Sequence, residues 1–143
     1  MSETPAFPAP VPTRDSAPFW EAAKQEKLLI QRCTDCGQAQ FYPRGFCIHC
    51  LSESLEWVAA SGRGRIHSYT ICHVPGHPAM AGRVPYVMAL VDLVEGVRML
   101  VEIQDIDLSK IAIGSAVKVL FEHRVDGWTL PQFHPYTPTR DAR

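Results

Sequence analysis

The chain has 143 residues, 46% of them hydrophobic, which suffices for one compact domain or two small ones and excludes a wholly disordered protein. Lys and Arg total 14 against 15 Asp and Glu, with a sequence pI near 6.6, and neither side of Gly62 is a polycation: five basic and seven acidic side chains precede it, nine and eight follow. That balance disfavours a nucleic-acid binder, whose affinity comes largely from Lys and Arg contacts to phosphate.

The opening Met1-Ser2-Glu3-Thr4-Pro5 lacks the basic start and apolar run of a secretory signal. No stretch approaches the roughly 18 apolar residues of a membrane span, so a cytoplasmic protein without a membrane partner is expected. Residues 1–14 hold four of the twelve prolines and almost no apolar periodicity, and are read as a disordered tail. Asp15 or Ser16 can then cap a short helix that takes Pro18 in its first turn and runs through Phe19 and Trp20 to Glu26. Leu28 to Arg32 reads as a strand entering a first cysteine pair, Gln40 to Tyr42 as one leaving it, and Leu55 to Val58 as a strand beyond a second pair. Ser61-Gly62 marks a break.

Beyond it the texture changes to strands separated by turn signals, at Arg65–Val74, Tyr86–Val94, Val97–Ile103, Ala116–Arg124 and Trp128–Phe133. Five strands in so short a stretch suggest a small barrel. A helical turn over Asp105–Ile111, between the third and fourth strands, is where an OB-fold usually carries its helix. The expected organisation is mainly β: a tail over 1–14, a short N-terminal helix and zinc ribbon over 15–61, a five-stranded OB-fold over 62–136, and a C-terminal tail over 137–143.

The chemistry concentrates in the cysteines. Cys33-x-x-Cys36-Gly37 is a knuckle whose two thiolates can grip one ion if the chain turns sharply just beyond the second, and Gly37 supplies that turn. Cys47-x-x-Cys50 offers the second pair, so the four complete a tetrahedral set of soft ligands for a structural zinc with no open position. Two disulfides, four unrelated thiols and rubredoxin-type iron are the competing readings. Leu51 stands where a knuckle usually has glycine, and must either accept a positive φ or turn differently. His49 is a less apt ligand than Cys50 beside it. Cys72 reads as a buried, inert thiol.

Several separated segments together resemble the zinc-ribbon plus OB-fold proteins known as domain of unknown function 35 (DUF35). They are Pro18-Phe19-Trp20, the two cysteine pairs, Phe41-x-Pro43-Arg44, Leu55-Glu56-Trp57, Ser61-Gly62-Arg63-Gly64, Pro85-Tyr86-Val87, Ile113-Gly114 and Leu130-Pro131-x-Phe133. The resemblance covers residues 16 to 135. It implies a rubredoxin-like ribbon followed by an OB-fold, in an accessory subunit that binds a thiolase-like enzyme, or a related hydratase, aldolase or acyltransferase, as a hetero-oligomer. The barrel would help enclose an acyl-CoA while the partner supplies the nucleophile or base. A nucleic-acid-binding ribbon and OB-fold protein and an iron-bearing electron carrier are the readings from other classes.

No residue carries a catalytic signature. Arg63, Arg65, His77 and Arg83 are candidates for acyl-CoA contact, against the alternative of simple solvation. Phe19 and Trp20 are candidates for partner contact, against internal packing on the ribbon. Trp57 and Trp128 read as core or barrel-rim residues.

Overall fold

The computed structural model describes residues 7–137, so the first six residues of the expected N-terminal tail and all but Thr137 of the C-terminal one lie outside the described residues. Helix α1 spans Ala17–Lys24, with Pro18 in its first turn, where a missing N–H leaves no hydrogen bond unmade. Ser16 occupies the N-cap position, but its hydroxyl turns back to accept from the Thr13 N–H at 2.8 Å and caps no helical N–H. The helix stops short of Glu26 because that residue takes φ +59°, and the Lys27 N–H closes onto Ala22 O at 3.0 Å. Phe19, Ala22 and Ala23 form the buried face.

Strands β1 (Leu29–Cys33), β2 (Ala39–Gln40) and β3 (Leu55–Ala59) make an antiparallel sheet in the order β2-β1-β3. Strands β4 (Arg63–Cys72), β5 (Tyr86–Leu93), β6 (Arg98–Ile103), β7 (Ala116–His123) and β8 (Thr129–Pro135) close into a barrel in the order β4-β5-β6-β8-β7. This is the five-stranded OB-fold. Period-2 patterning drives it: along β5, Val87, Ala89, Val91 and Leu93 point inward, joining Ile66, Met99, Val101, Val117 and Phe133 in the core. The 3₁₀ turn Leu108–Lys110, capped by Asp107, stands where the sequence suggests a helical turn. No helix among the described residues is long and apolar enough to cross a membrane.

Every strand pair in the barrel is antiparallel except β6 with β8, which meet in parallel at the single pair Ile103–Phe133. Upstream of that pair, the Gln132 side chain accepts the Glu102 N–H at 3.0 Å in place of a ladder bond. The barrel wall is therefore thin at this seam, which lies beside α1 and Phe41.

At the join between ribbon and barrel, two glycines are required for different reasons. Gly62 takes φ +80°, and a Cβ there would collide with the Val119 side chain. At Gly64 a Cβ would lie 2.6 Å from Asp92 O and 2.8 Å from Val91 Cγ1, both fixed in β5. Gly64→Ala is therefore expected to destabilise the protein by about 1–3 kcal/mol. Gly82→Ala, with nothing within 4 Å of the added carbon, should change stability by less than about 0.5 kcal/mol. Chemical denaturation of the two variants checks the contrast.

Candidate functional site

The two knuckles are built alike. Gly37 N–H donates to Cys33 O at 2.9 Å and Leu51 N–H to Cys47 O at 2.9 Å, while Cys33 and Cys47 donate to Gln38 O and Ser52 O. Gly37 turns at φ +78° and Leu51 at φ +66°, so the leucine does accept the positive φ. Backbone N–H groups of Cys36 and His49 point at Cys33 Sγ (3.5 Å) and Cys47 Sγ (3.3 Å), so His49 serves this site through its main chain.

The result is four sulfurs within 4.8 Å of one another, with Cys33–Cys50 and Cys36–Cys47 both at 3.6 Å. A disulfide needs about 2.05 Å, so the pairs are not bridged. A tetrahedron with metal–sulfur bonds of about 2.3 Å has edges of about 3.8 Å, which these separations fit. Without a cation the thiols do not ionise alike. The Cys36 N–H, with further donors, lowers the Cys33 thiol to about 7. At Cys50 the Ser52 N–H also acts to lower the value, but desolvation and the other thiols outweigh it and drive it up to about 12. Four thiolates this close need a cation among them.

A polar pair that sequence reasoning missed holds the second knuckle in place. Gln31 and Gln40 are both buried, at 4% and 3% exposure. Gln31 Oε1 accepts from Gln40 Nε2 and the Arg44 N–H, both at 2.8 Å, and Gln31 Nε2 donates to Arg44 O. Gln40 accepts the Ile48 N–H at 2.9 Å and donates to Phe46 O. Their alternation in β1 and β2 looks like ordinary surface polarity; only the fold shows that these amides substitute for a strand along residues 44–48.

The second feature is a cavity of about 530 Å³ between the ribbon and the thin seam of the barrel. On one side stand Phe19 and Trp20 of α1 with Phe41 and Tyr42 of the ribbon. Phe19 lies 4.9 Å from Trp20 and 5.4 Å from Phe41 by ring centroid, and Trp20 Nε1 donates to the Tyr42 hydroxyl at 3.1 Å. Trp20 also stacks edge-on against Trp128 at 6.1 Å, which ties α1 to the barrel rim. Met80, Met88 and Met99, all the methionines among the described residues, line the opposite side.

One polar wall interrupts this apolar lining. Arg83 donates to both oxygens of Glu102 at 2.9 and 3.0 Å and lies 3.5 Å from Glu122. Gln104 bridges the two carboxylates. Glu102 is only 7% exposed, so the charge-assisted pairing with Arg83, whose Nη2 reaches both carboxylate oxygens, is what makes its burial tolerable. A glutamate inside the apolar run Met99-Leu100-Val101-Glu102-Ile103 was the signal available in the sequence.

The structure divides the expected ligand contacts. His77 and Arg83 line this cavity together with Phe19 and Trp20. His77 caps the 3₁₀ turn Pro78–Arg83, its Nδ1 accepting the Ala79 N–H at 3.0 Å. Phe19 is 2% exposed and packs internally, whereas Trp20 is half-buried. Arg63 and Arg65 instead border a separate recess of about 430 Å³ at the β4–β7 seam, where Arg65 donates to Gly114 O. Trp57 and Trp128 are half-buried, as is Cys72 at the end of β4.

Comparison with known proteins agrees with this architecture. Residues 20–56 match the family described as the ChsH2 rubredoxin-like zinc ribbon domain, and residues 57–122 the ChsH2 C-terminal OB-fold domain. A probable enoyl-CoA hydratase alpha subunit of Thermomonospora curvata is 40% identical over 94% of this chain; the match spans 42% of that relative, so the chain covers about two fifths of its length. A DUF35 domain-containing scaffold protein of Methanothermobacter thermautotrophicus is 38% identical over 66% of this chain and 71% of its own. Among solved structures, a chain of the Ltp2-ChsH2(DUF35) aldolase superposes with a TM-score of 0.80 at 41% identity, covering 89% of this chain and 98% of the other.

Because Gln40 holds residues 46–48 without touching the sulfurs, Gln40→Ala is expected to weaken metal binding roughly tenfold in chelator competition with all four cysteines present. Unchanged affinity would mean the second knuckle keeps its shape unaided.

Proposed function

This chain belongs to the DUF35 family of zinc-ribbon and OB-fold proteins, and from that premise we propose that it is an accessory subunit of a CoA-thioester enzyme. It docks on a thiolase-like enzyme, or a related hydratase or aldolase, in the cytoplasm, and shelters the apolar acyl portion of the substrate in the cavity between ribbon and barrel. The observation that carries this reading is the cavity itself: about 530 Å³, walled by aromatic and thioether side chains, with its ionisable groups already engaged. Arg83 is held by Glu102 and Glu122, and His77 Nδ1 caps a turn. Such a wall suits enclosure and orientation, with the bond-making groups supplied by the partner. Three methionines add adaptability, since a flexible thioether repacks around apolar groups of different shape.

The relatives' names support the same direction, joining this architecture to hydratase and aldolase assemblies. The nucleic-acid alternative draws no support from this face, which places Glu102 and Glu122 beside the thin seam of the barrel.

In this reading the ion is zinc, held by Cys33, Cys36, Cys47 and Cys50. A closed tetrathiolate has no position for water or substrate, so its contribution is to folding, on the order of 10 kcal/mol apparent for small zinc modules near neutral pH. The chain's own residues supply everything else: the Cys36 and His49 N–H groups offset sulfur charge, and the ribbon so fixed carries Phe41 and Tyr42 to the cavity.

Coexpression with candidate thiolase-like, hydratase and aldolase subunits, followed by size-exclusion chromatography and metal analysis, tests the assignment. One partner should co-elute, with one zinc per chain and no visible colour. Separate peaks with every candidate, and turnover of each unchanged by this chain, would refute the accessory role; ferric tetrathiolate absorbance would replace zinc by iron. A second measurement addresses the cavity. Met88→Trp fills it from the barrel side and should raise KM for a bulky acyl-CoA about tenfold in the assembled enzyme, with kcat little altered and co-elution intact.

A further inference from the structure

The N-terminal segment 7–13 reaches the cavity in an unusual way. It is tethered at Thr13, whose N–H donates to Ser16 Oγ at 2.8 Å and whose carbonyl accepts from Ser16 and Ala17. From there Pro12, Val11, Pro10, Ala9 and Pro8 run back without regular secondary structure, with Val11 87% exposed. Three prolines at alternate positions stiffen the run toward an extended conformation. At its far end the Phe7 ring lies under two guanidinium groups, Arg124 at 5.1 Å and Arg83 at 5.8 Å, and Arg124 Nη1 donates to Pro8 O at 3.2 Å.

These two arginines are not poised for an anion. Arg83 is engaged by Glu102 and Glu122, and Arg124 Nη2 donates to Asp126 at 2.7 Å. Three carboxylates thus face two guanidinium groups, and phosphate arriving here would meet net negative charge. Arg83 stays engaged by Glu102 and Glu122 and Arg124 Nη2 by Asp126 when the segment leaves, only Arg124 Nη1 losing its partner, Pro8 O, so what chiefly remains for a ligand is the flat face of each guanidinium. A flat cation fixed by its edges attracts the π-face of a planar ring. The side chains are also held by their own ion pairs, Arg83 to Glu102 and Glu122 and Arg124 to Asp126, before any ligand arrives.

We propose that the Arg83 and Arg124 end of the cavity is a subsite for a planar aromatic ring, filled in the free protein by Phe7 of the chain's own N-terminal segment and vacated when a ligand ring enters. Phe7 is a competitive plug. Its tether keeps the local ring concentration high, while the exposed proline run loses few contacts on release. A CoA ester carries two candidate rings, the adenine and, in some substrates, an aromatic acyl group. The subsite itself does not depend on the acyl-CoA reading.

Fluorescence titration of 2-naphthol against the full chain tests the subsite without CoA. Removing the plug raises the fraction of open sites, so Phe7→Ala should bind the probe roughly fivefold or more tightly than the parent, and Phe7→Trp less tightly than the parent. Arg124→Lys, which keeps charge beside Asp126 but removes the flat face, should cancel the gain in the Phe7→Ala background. Saturated decahydro-2-naphthol should compete poorly. Equal affinity across the Phe7 series, a gain that survives Arg124→Lys, or equal competition by the saturated analogue would each overturn the proposal. In the same Phe7→Ala protein, a gain for benzoyl-CoA alone supports the acyl ring as the natural occupant, and equal gains for benzoyl-CoA and acetyl-CoA support the adenine. A gain for 2-naphthol with neither ester bound supports the subsite and counts against the acyl-CoA function.

Discussion

Four sulfurs drawn within 4.8 Å of one another cannot all be thiolates unless a cation stands among them, and the ribbon from β1 to β3 is arranged around that requirement. The ribbon sheet has three strands, one of only two residues, and offers little apolar interior of its own. What fixes residues 33–52 is the clamp at one end and the buried Gln31–Gln40 amide pair at the other. Both constrain the same loop from opposite sides. Between them they set where the chain presents Phe41 and Tyr42.

Those two aromatics transmit the ribbon's geometry to the rest of the molecule. They pack on Phe19, which is buried, and through Tyr42 on Trp20, which reaches Trp128 on the barrel. Helix α1 is therefore a spacer locked by edge-to-face contacts on both sides. The space it leaves against the β6–β8 seam is the cavity. An OB-fold joins these two strands in parallel, and here they share one residue pair; the cover for this thin place comes from outside the barrel, from the helix and ribbon. Ribbon and barrel are then two walls of one cavity, and the four cysteines bear on it only through the position of the first wall.

Electrostatics at the site follows from burial. Glu102 is placed in an apolar strand, so it must be paired, and Arg83 pairs with it through both carboxylate oxygens. That commitment gives the cavity a fixed polar wall and changes what Arg83 can do. As an isolated cation on a loop it would suit phosphate. Joined to Glu102 and Glu122 it is locally neutralised, and what it still offers is a cation 5.8 Å from the Phe7 ring centroid.

Much of this was legible in the residues. The cysteine spacing announced a four-sulfur site because a short i, i+3 knuckle followed by a sharp turn has few other uses, and of the two turns left open at Leu51 the structure takes the left-handed one. Five strand-like segments separated by turn signals beyond Gly62 marked the barrel, and the structure adds the inward-outward alternation along β5. The sequence by itself thus determined the four-cysteine cluster and where the strands fall along the chain, both of which rest on contacts between residues close in the chain or on a fixed period. It did not determine the company each side chain keeps. That Phe19 is interior, that Arg83 meets Glu102 and Glu122 while Arg63 and Arg65 lie at another seam, that two glutamines hold a knuckle, and that Phe7 reaches Arg124 across more than a hundred residues were decided by tertiary structure alone. Charge pairing and ring stacking act through space over a few ångströms, and one-dimensional order carries no measure of that distance until the barrel has closed.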